Sequence, residues 1–243
     1  MAMGIFDSHE LSLRQTPVVP TPGYGHDTDR WSPNSFAREQ IRGLVRQVFF
    51  SNIARPIRQV VFTSVDAQTD VGNICRQVGE ALASETQASI AVVCRDPAGL
   101  EEAETAAEGH TPRIVERANT RLQLTATRVK GNLWFVPDAG YFNAGDVVPV
   151  GLACPRLAYS RLAELRREFE YSIVQCLPAG ESSEAAALGQ LADGIILVLA
   201  ADRTRRATAR KITETLRAAQ VQFLGIVLSD RTFPIPESIY RRL

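Results

Sequence analysis

The sequence predicts an α/β fold: a doubly wound, mostly parallel β-sheet with helices on both faces. Two observations carry this prediction. Short, almost continuously apolar runs recur along the chain, and segments with helical spacing of apolar residues separate them. Runs of Val, Ile and Leu without polar alternation are typical of strands that a parallel sheet buries on both faces. Strands that alternate with helices form βαβ units, whose crossovers are right-handed.

The apolar runs are predicted to be strands, and the segments with apolar residues at helical spacing are predicted to be helices. The strands are expected at residues 59–63, 89–94, 132–136, 172–176, 194–200 and 223–228. The helices are expected at residues 35–51, 72–85, 100–108, 156–168, 183–192 and 204–219. Ser35 is the expected N-cap of the first helix.

Composition and turn residues divide the chain into three parts. The 243 residues suit one large α/β domain or two small ones, and a hydrophobic fraction of 45% is enough for a substantial core. Residues 1–34 contain repeated Pro and Gly and are predicted to form an extended or disordered arm. Residues 35–231 form the predicted α/β domain. Residues 232–243 are a tail that either packs on its own domain or docks onto a partner.

Charge and apolar content exclude several classes of protein. The 27 basic and 27 acidic residues balance, so no overall field favours nucleic acid or an anionic membrane. No run approaches the roughly 20 apolar residues that span a bilayer, and the first residues lack the pattern of a signal peptide. We therefore expect a cytoplasmic protein that does not bind nucleic acid. The 4 cysteines lack C-x-x-C spacing and are expected to be buried thiols, not zinc ligands.

The turn after the first predicted strand has the layout of a phosphate-binding loop but lacks its lysine. Residues 60–82 read VVFTSVDAQTDVGNICRQVGEAL, an apolar strand followed by a polar turn and a helix. A P-loop reads G-x-x-x-x-G-K-[ST]. Asp70 and Val71 stand here where the last glycine and the lysine belong. The simpler interpretation is an ordinary strand–helix connection, in which Gly, Asp and Asn are common.

Three later segments, taken in order, resemble the cytoplasmic kinase domain of bacterial tyrosine kinases (BY-kinases). They are NLWFVP followed by CPRLAYSRLAELRREFEYSIVQC within residues 132–176, GQLADGIILVLAADRT at 189–204, and VQFLGIVL at 221–228. The resemblance covers roughly residues 36–230. It implies a P-loop NTPase-like fold of the MinD/ParA-like group and a role in capsule or exopolysaccharide synthesis.

The catalytic motifs that the resemblance implies are altered in this chain. In the first motif of the family, of the type TSAEPGEGKST, the lysine and the Mg-binding hydroxyl correspond to Val71 and Gly72. In the second and third motifs, Cys94 and Gln175 replace aspartates, whereas Asp96 is retained. Valine, glycine and glutamine supply neither the charge nor the ligands that phosphate and Mg²⁺ require. The degenerate nucleotide pocket implied in this way comprises Ser64, Asp66, Thr69, Asp70, Val71, Gly72, Asn73, Cys94, Asp96 and Gln175.

These replacements predict a pseudokinase or pseudo-ATPase that has no catalytic residues, metal or cofactor and acts by binding other proteins. The expected partner is an active kinase paralogue or a membrane polysaccharide co-polymerase, which would recruit the protein to the inner membrane face. The alternative is a nucleotide sensor, or a weak ATPase or tyrosine kinase, that uses ATP or ADP with Mg²⁺. In that case Asp66, Asp70 and Asp96 would hold the metal, and the backbone N–H groups of residues 72–74 would bind the anion.

Two charged segments have a structural and a functional interpretation. The family carries an E-x-x-R-x-x-R oligomerisation motif on its first helix, and Glu39 and Arg42 match it, with Arg46 one position beyond the last arginine. We favour a solvated helix surface with ordinary ion pairs over a self-association surface that forms a homo-oligomer. The basic run at 203–211 is predicted to spread around its helix without forming one stripe.

Overall fold

An eight-stranded β-sheet lies between two layers of helices. The computed structural model describes residues 33–51, 54–94, 113–115, 124–137 and 155–230. The strands are β1 Gln59–Ser64, β2 Ile90–Cys94, β3 Arg113–Val115, β4 Leu124–Lys130, β5 Leu133–Pro137, β6 Tyr171–Gln175, β7 Gly194–Ala200 and β8 Phe223–Ser229. Their order in the sheet is β3-β4-β5-β2-β6-β1-β7-β8.

The helices match the sequence prediction closely wherever the structure describes them. They are α1 Pro33–Val45, α2 Val71–Glu85, α3 Pro155–Glu168, α4 Glu184–Leu191 and α5 Arg206–Ala218, and a π-helical turn, Arg46–Phe50, continues α1. The prediction of Ser35 as N-cap is wrong, because α1 begins at Pro33, a residue favoured in the first turn of a helix. The predicted helix at 100–108, most of the arm and the tail lie outside the described residues.

Six strands, β5, β2, β6, β1, β7 and β8, run parallel to one another. These are the six predicted strands, so the doubly wound α/β fold is confirmed. β3 and β4 add an antiparallel extension at one side of the sheet, which the sequence did not predict. No helix within the described ranges combines the length and the apolar character needed to cross a bilayer.

Each central strand contributes side chains to two cores. In β1, Val60 and Phe62 face α1 and α2, whereas Val61 faces α3, α4 and α5. All six residues of β1 are buried, as are all seven of β7. Burial on both faces explains why these strands are apolar without alternation.

A buried polar network fixes the strands at the amino edge of the sheet. Gln59 is completely buried, and its side-chain Nε2 donates to the Leu162 carbonyl oxygen (3.1 Å) and to Ser172 Oγ (3.0 Å). Its Oε1 accepts from Arg166 Nε at 2.9 Å. Asp193 accepts from the Gln59 backbone N–H at 2.8 Å and from Arg166 Nη2 at 2.8 Å. The starts of β1, β6 and β7 are thereby held in register.

Candidate functional site at the carboxyl edge of the sheet

The residues predicted for the nucleotide pocket converge at the carboxyl edge of the parallel strands. Ser64, Cys94 and Gln175 end β1, β2 and β6, and the loop from Val65 to Asp70 leads directly into α2. Because parallel strands end at the same edge, these side chains face one crevice, which is the usual ligand-binding position in such sheets. Asp96 lies outside the described residues.

Hydrogen bonds within the loop after β1 close it on itself. Ser64 Oγ donates to the backbone carbonyl oxygen of Asp66 at 2.6 Å. The Asp66 carboxylate accepts from the Gln68 backbone N–H and from Thr69 Oγ1, both at 3.0 Å. Such a turn satisfies loop backbone groups without a ligand. Thr69 is only 5% exposed, so the loop is packed against the domain.

A carboxylate also occupies the start of α2. Asp70 is the N-cap, and its Oδ1 accepts from the Asn73 backbone N–H at 2.9 Å. An Asp at this position stabilises a helix by satisfying an unpaired N–H group and by interacting with the helix dipole. The Val71 backbone N–H donates to the Thr69 carbonyl oxygen at 2.9 Å. The amides of Val71 and Asn73, which a P-loop would offer to phosphate, therefore already have acceptors in the chain.

Val71, Gly72 and Gln175 stand at the positions that the resemblance assigns to the lysine and the metal ligands, and none of them carries a charge. Val71 is buried among the apolar side chains between α2 and the sheet. The Gln175 Oε1 atom lies 3.2 Å from where a Cβ on Gly72 would be, and Asp70 Oδ1 lies 3.7 Å from the same point. A carboxylate in place of Gln175 would put a second negative charge beside Asp70, which the neutral amide avoids.

The loop after β6 holds the loop after β1 from one side. Glu181 Oε1 accepts from the Ala67 backbone N–H at 3.2 Å, and the Ala179 backbone N–H donates to the Ser64 carbonyl oxygen at 2.8 Å. Gly180 lies between these contacts. A Cβ at this glycine would be only 2.3 Å from the Val65 carbonyl oxygen, so a side chain does not fit there.

Arg203 holds the same loop from the opposite side. Its Nη1 donates to Gln68 Oε1 at 3.3 Å, and its Nη2 donates to the Gln68 carbonyl oxygen at 3.1 Å. Arg203 Nη2 also lies 3.6 Å from Asp230 Oδ2. One guanidinium thus links the ends of β7 and β8 to the loop after β1.

Carboxylates dominate the electrostatics of this crevice. Asp66, Asp70 and Glu181 each accept a hydrogen bond from a backbone N–H group of the loop or of the first turn of α2. Arg203 is the cation that contacts the loop directly. A bound phosphate would meet amides that carboxylates already occupy, and like charges nearby. Within the described ranges no group of three or more His, Cys, Asp or Glu residues is arranged to hold a metal ion.

The three described cysteines, Cys75, Cys94 and Cys176, are all buried. Burial raises the pKa of the Cys75 thiol well above its ordinary value, and its neighbours Cys94 and Cys176 raise the pKa further. A thiol with a raised pKa stays neutral and is a poor nucleophile and metal ligand. Cys75 therefore contributes apolar packing.

The residues of the partial oligomerisation motif are engaged in ion pairs within the chain. Glu39 Oε2 and Arg42 Nη1 are 3.7 Å apart on α1. Arg46 Nη2 lies 2.9 Å from Glu85 Oε1, which joins the π-helical turn to α2. These exposed pairs fit the interpretation as a solvated surface, and self-association through them stays a prediction.

Sequence reasoning did not identify Gln68, Glu181 and Arg203 as parts of the site. Gln68 and Arg203 are in contact although 135 positions separate them in the sequence, and 114 positions separate Ala67 from Glu181. The segment GQLADGIILVLAADRT does contain Arg203, so the resemblance places it after a strand of the parallel sheet. It does not indicate which loop the guanidinium contacts.

A second concave feature lies at the opposite edge of the sheet. A solvent-open groove of about 1080 Å³ runs between α2 and the β4–β5 pair, lined in part by Glu80, Arg128, Lys130 and Trp134. Its volume slightly exceeds the usual range of ligand pockets, about 300–1,000 Å³, and none of the residues predicted for the nucleotide pocket lines it. The groove is therefore separate from the crevice at the carboxyl edge.

No family model matches the chain. A curated relative is the tyrosine-protein kinase CpsD of Streptococcus agalactiae serotype III (strain NEM316), which is 31% identical over 96 residues. The match covers 39% of this chain and 41% of CpsD, so it spans less than half the length of that kinase.

Solved structures match over much more of the chain. The VpsO kinase domain has a TM-score of 0.58 at 17% identity and covers 82% of this chain and 98% of its own. The kinase domain of Escherichia coli tyrosine kinase ETK has a TM-score of 0.58 at 14% identity, with 82% and 79% covered. The MinD cell division protein of Aquifex aeolicus has a TM-score of 0.51 at 16% identity, with 76% and 72% covered. These likenesses confirm the predicted fold, and together with the CpsD match they confirm the predicted resemblance to bacterial tyrosine kinases.

Proposed function

We propose that this chain, which has the fold of a bacterial tyrosine kinase domain, is a catalytically inactive kinase-like protein that acts by binding other proteins. The observation that carries the proposal is the occupied phosphate loop. Its backbone N–H groups at Ala67, Gln68 and Asn73 donate to carboxylates of the chain itself. The sequence resemblance further supports a place in an exopolysaccharide or capsule synthesis and export system.

Phosphoryl transfer depends almost entirely on positioning and on positive charge around the transferred group. A lysine, a magnesium ion and a cradle of free amides supply that charge in P-loop enzymes. Here Val71 is buried in the core, and Gln175 stands in place of a metal-binding carboxylate. The amides of Ala67, Gln68, Val71 and Asn73 have acceptors within the chain, and the surrounding carboxylates are negative. Each change acts in the same direction, against binding of Mg·ATP.

A rigid loop without a ligand suits a protein that presents a fixed surface. Contacts from Glu181 and Arg203 hold the loop from both sides, so its shape does not depend on a nucleotide. We infer that a partner, either an active kinase of the same fold or a membrane polysaccharide co-polymerase, binds this constant surface. Such a partner would bring the protein to the inner face of the membrane.

Thermal unfolding with and without millimolar Mg·ATP and Mg·ADP tests the proposal. A ligand at 100 times its Kd adds about 2.7 kcal/mol to the free energy of unfolding, so even modest affinity would raise the Tm. We expect no rise for the natural chain. Magnesium-dependent ATP turnover would overturn the proposal, and a rise in Tm without turnover would identify a nucleotide sensor instead.

Two variants test whether the carboxylates are the cause. Asp70→Asn combined with Glu181→Gln removes two negative charges, and asparagine is as good an N-cap as aspartate. Because the new amide oxygens can still accept from the Ala67 and Asn73 backbone N–H groups, this double variant tests charge alone, and we expect it to gain a small Tm rise with Mg·ADP that the natural chain lacks. Glu85→Gln is the matched control, since it neutralises a carboxylate at the far end of α2. An equal gain in both variants would mean that the effect is not local to the loop.

A further inference from the structure

The strand β8 forms one side of the sheet and, among the described residues, pairs with β7 alone. The Ser229 carbonyl oxygen accepts from the Ala201 backbone N–H at 2.9 Å, so Ser229 directs its backbone groups toward β7. Alternate residues of a strand direct these groups to opposite sides, so Ile226 and Leu228 direct theirs away from the sheet. An edge of this kind is a template for pairing with another extended chain.

The regular part of this edge is short and well defined. The register between β7 and β8 shifts at Leu224, which packs over Gly194, and it is then uniform from Gly225 to Ser229. The side chains of Ile226 and Leu228 lie on the α5 side of the sheet and are only partly buried. Within the described part of the chain, this edge thus combines backbone groups that have no strand partner with partly exposed apolar side chains.

A row of arginines on α5 follows the same edge. Ala209, Ile212 and Leu216 of α5 face the core. At 3.6 residues per turn, Arg206, Arg210 and Arg217 fall within an arc of about 40° on one flank of the helix. We call these three residues the arginine row. Arg217 lies beyond the basic run at 203–211, and that run itself spreads around the helix as expected, with Lys211 about 100° from Arg210.

Two contacts show which way the arginine row faces. The Arg217 guanidinium lies 5.7 Å from the centroid of the Phe223 ring, at the start of β8. Ile212, on the part of the core-facing side of α5 that is farthest from the arginine row, lies beside Gly180 in the loop after β6. The arginine row therefore faces the open side of β8, away from the rest of the helical layer.

The arginine row and the strand have similar lengths. From Arg206 to Arg217 the helix rises about 16 Å, and the seven residues of β8 extend about 20 Å. Arg210 pairs with Glu214 at 3.0 Å, but both side chains are largely exposed, and such pairs contribute little and exchange readily. The strip alongside β8 therefore carries three guanidinium groups and one carboxylate, which leaves it with a net positive charge.

The distribution of charge favours a linear partner over a flat anionic surface. The outermost face of α5, opposite its buried side, carries Ala207, Lys211, Glu214 and Ala218, whose charges cancel. A membrane surface would meet that face first. An extended chain lying along β8 would instead meet the arginine row directly.

We propose that the open edge of β8 and the arginine row together form a docking surface for an extended acidic peptide segment of a partner protein. The backbone of the segment would pair with Ile226 and Leu228, as in β-strand addition. Its acidic side chains on the α5 side would form charge-assisted hydrogen bonds with the arginine row. This surface is separate from the crevice at the carboxyl edge, so the inference goes beyond the proposed function and does not depend on an empty nucleotide pocket.

Fluorescence anisotropy with a fluorescein-labelled peptide of alternating Glu and Val tests the charge requirement. We expect the full chain to bind it at low salt and not to bind the matching Lys–Val peptide. Arg206→Glu should weaken binding at least tenfold, whereas Lys211→Glu, the same charge reversal on the outer face, should change it less than twofold. Equal weakening by both variants would overturn the proposal, because it would indicate unspecific attraction.

Hydrogen exchange tests the edge itself. The backbone amides of Ile226 and Leu228 should exchange rapidly in the free protein and become protected when the Glu–Val peptide binds. Protection of these amides in the free protein would mean that the chain covers its own edge, and the proposal would fail. It would also fail if the protein bound vesicles containing phosphatidylglycerol but not the peptide, because the arginines would then serve a membrane.

Discussion

Arg203 donates two hydrogen bonds to Gln68 and thereby connects the end of β7 to the loop after β1. In an active P-loop protein this loop wraps around a phosphate. Here a guanidinium from the neighbouring strand and a carboxylate from Glu181 hold it from either side. The chain itself therefore supplies two supports for this loop, one from each neighbouring strand end.

Arg203→Ala should loosen the loop while leaving the domain folded. The arginine is half exposed, and an exposed ion pair contributes less than about 1 kcal/mol, so the free energy of unfolding should fall only slightly. Amide hydrogen exchange in residues 65–73 should increase several-fold. Arg205→Ala, at an exposed neighbouring position, is the control, and a similar increase in that variant would argue against a specific role for Arg203.

Gly180→Ala should destabilise the protein. The new Cβ would lie 2.3 Å from the Val65 carbonyl oxygen, a backbone atom that cannot rotate away. Overpacking of this kind costs about 1–3 kcal/mol, which urea unfolding would measure. Gly43→Ala is the matched control, since no atom lies within 4 Å of its Cβ position and alanine favours a helix interior by about 0.5–1 kcal/mol. A stable Gly180→Ala variant would contradict the close packing of the two loops.

Asp193→Ala should destabilise the amino edge of the sheet. The carboxylate accepts from the backbone N–H groups of Arg58 and Gln59 and from Arg166. A donor left unpaired in a buried site costs about 1–3 kcal/mol, so urea unfolding should report a loss of that size. Asp193→Asn keeps one acceptor oxygen and should lose less. Equal losses for the two variants would show that the hydrogen bonds are not the cause.

The pH dependence of stability should change when Glu164 is replaced. Burial raises the pKa of this carboxyl above its ordinary value of 4.5, although nearby Arg161 and Arg167 act in the opposite direction. The folded protein therefore binds the proton more tightly than the unfolded chain. The stability that this proton contributes is fully present below pH 4.5 and is lost as pH rises through the folded pKa.

Glu164→Gln removes that titration. Relative to the variant, the natural chain should become less stable as pH rises from 4.5 toward neutrality, in unfolding curves measured at several pH values. A pH-independent difference between the natural chain and Glu164→Gln would show that the carboxyl has an ordinary pKa.

The parallel part of the sheet could be predicted because complete burial leaves a clear signal in sequence. Every residue of β1, β2 and β7 is buried; β2 and β7 are unbroken apolar runs, and β1 has a continuous apolar centre, Val60–Phe62. The strand β4, with sequence LTATRVK, alternates apolar and polar residues and lies in the antiparallel extension. Because the prediction relied on continuous apolar runs, it missed this strand and the short β3 beside it.

The candidate site could be predicted only where it is local in sequence. Asp70, Val71 and Gly72 follow a strand and begin a helix, so their place at the sheet edge follows from the motif spacing. The contacts of Glu181 and Arg203 with that loop depend on which strands become neighbours, and β1 lies between β6 and β7. Sheet order is a property of the whole fold and leaves no signal near residue 68.

The buried network around Gln59 lies at the far end of the same strands whose other ends carry the altered loops. It sets the register of β1, β6 and β7 without any contribution from the carboxyl edge. Replacing the loops at the carboxyl edge with other sequences should therefore leave the sheet intact. The domain is accordingly a suitable host for rebuilding a working phosphate loop, provided that residues 66–72 are replaced as one block together with Gln175, which fills the space beside Gly72.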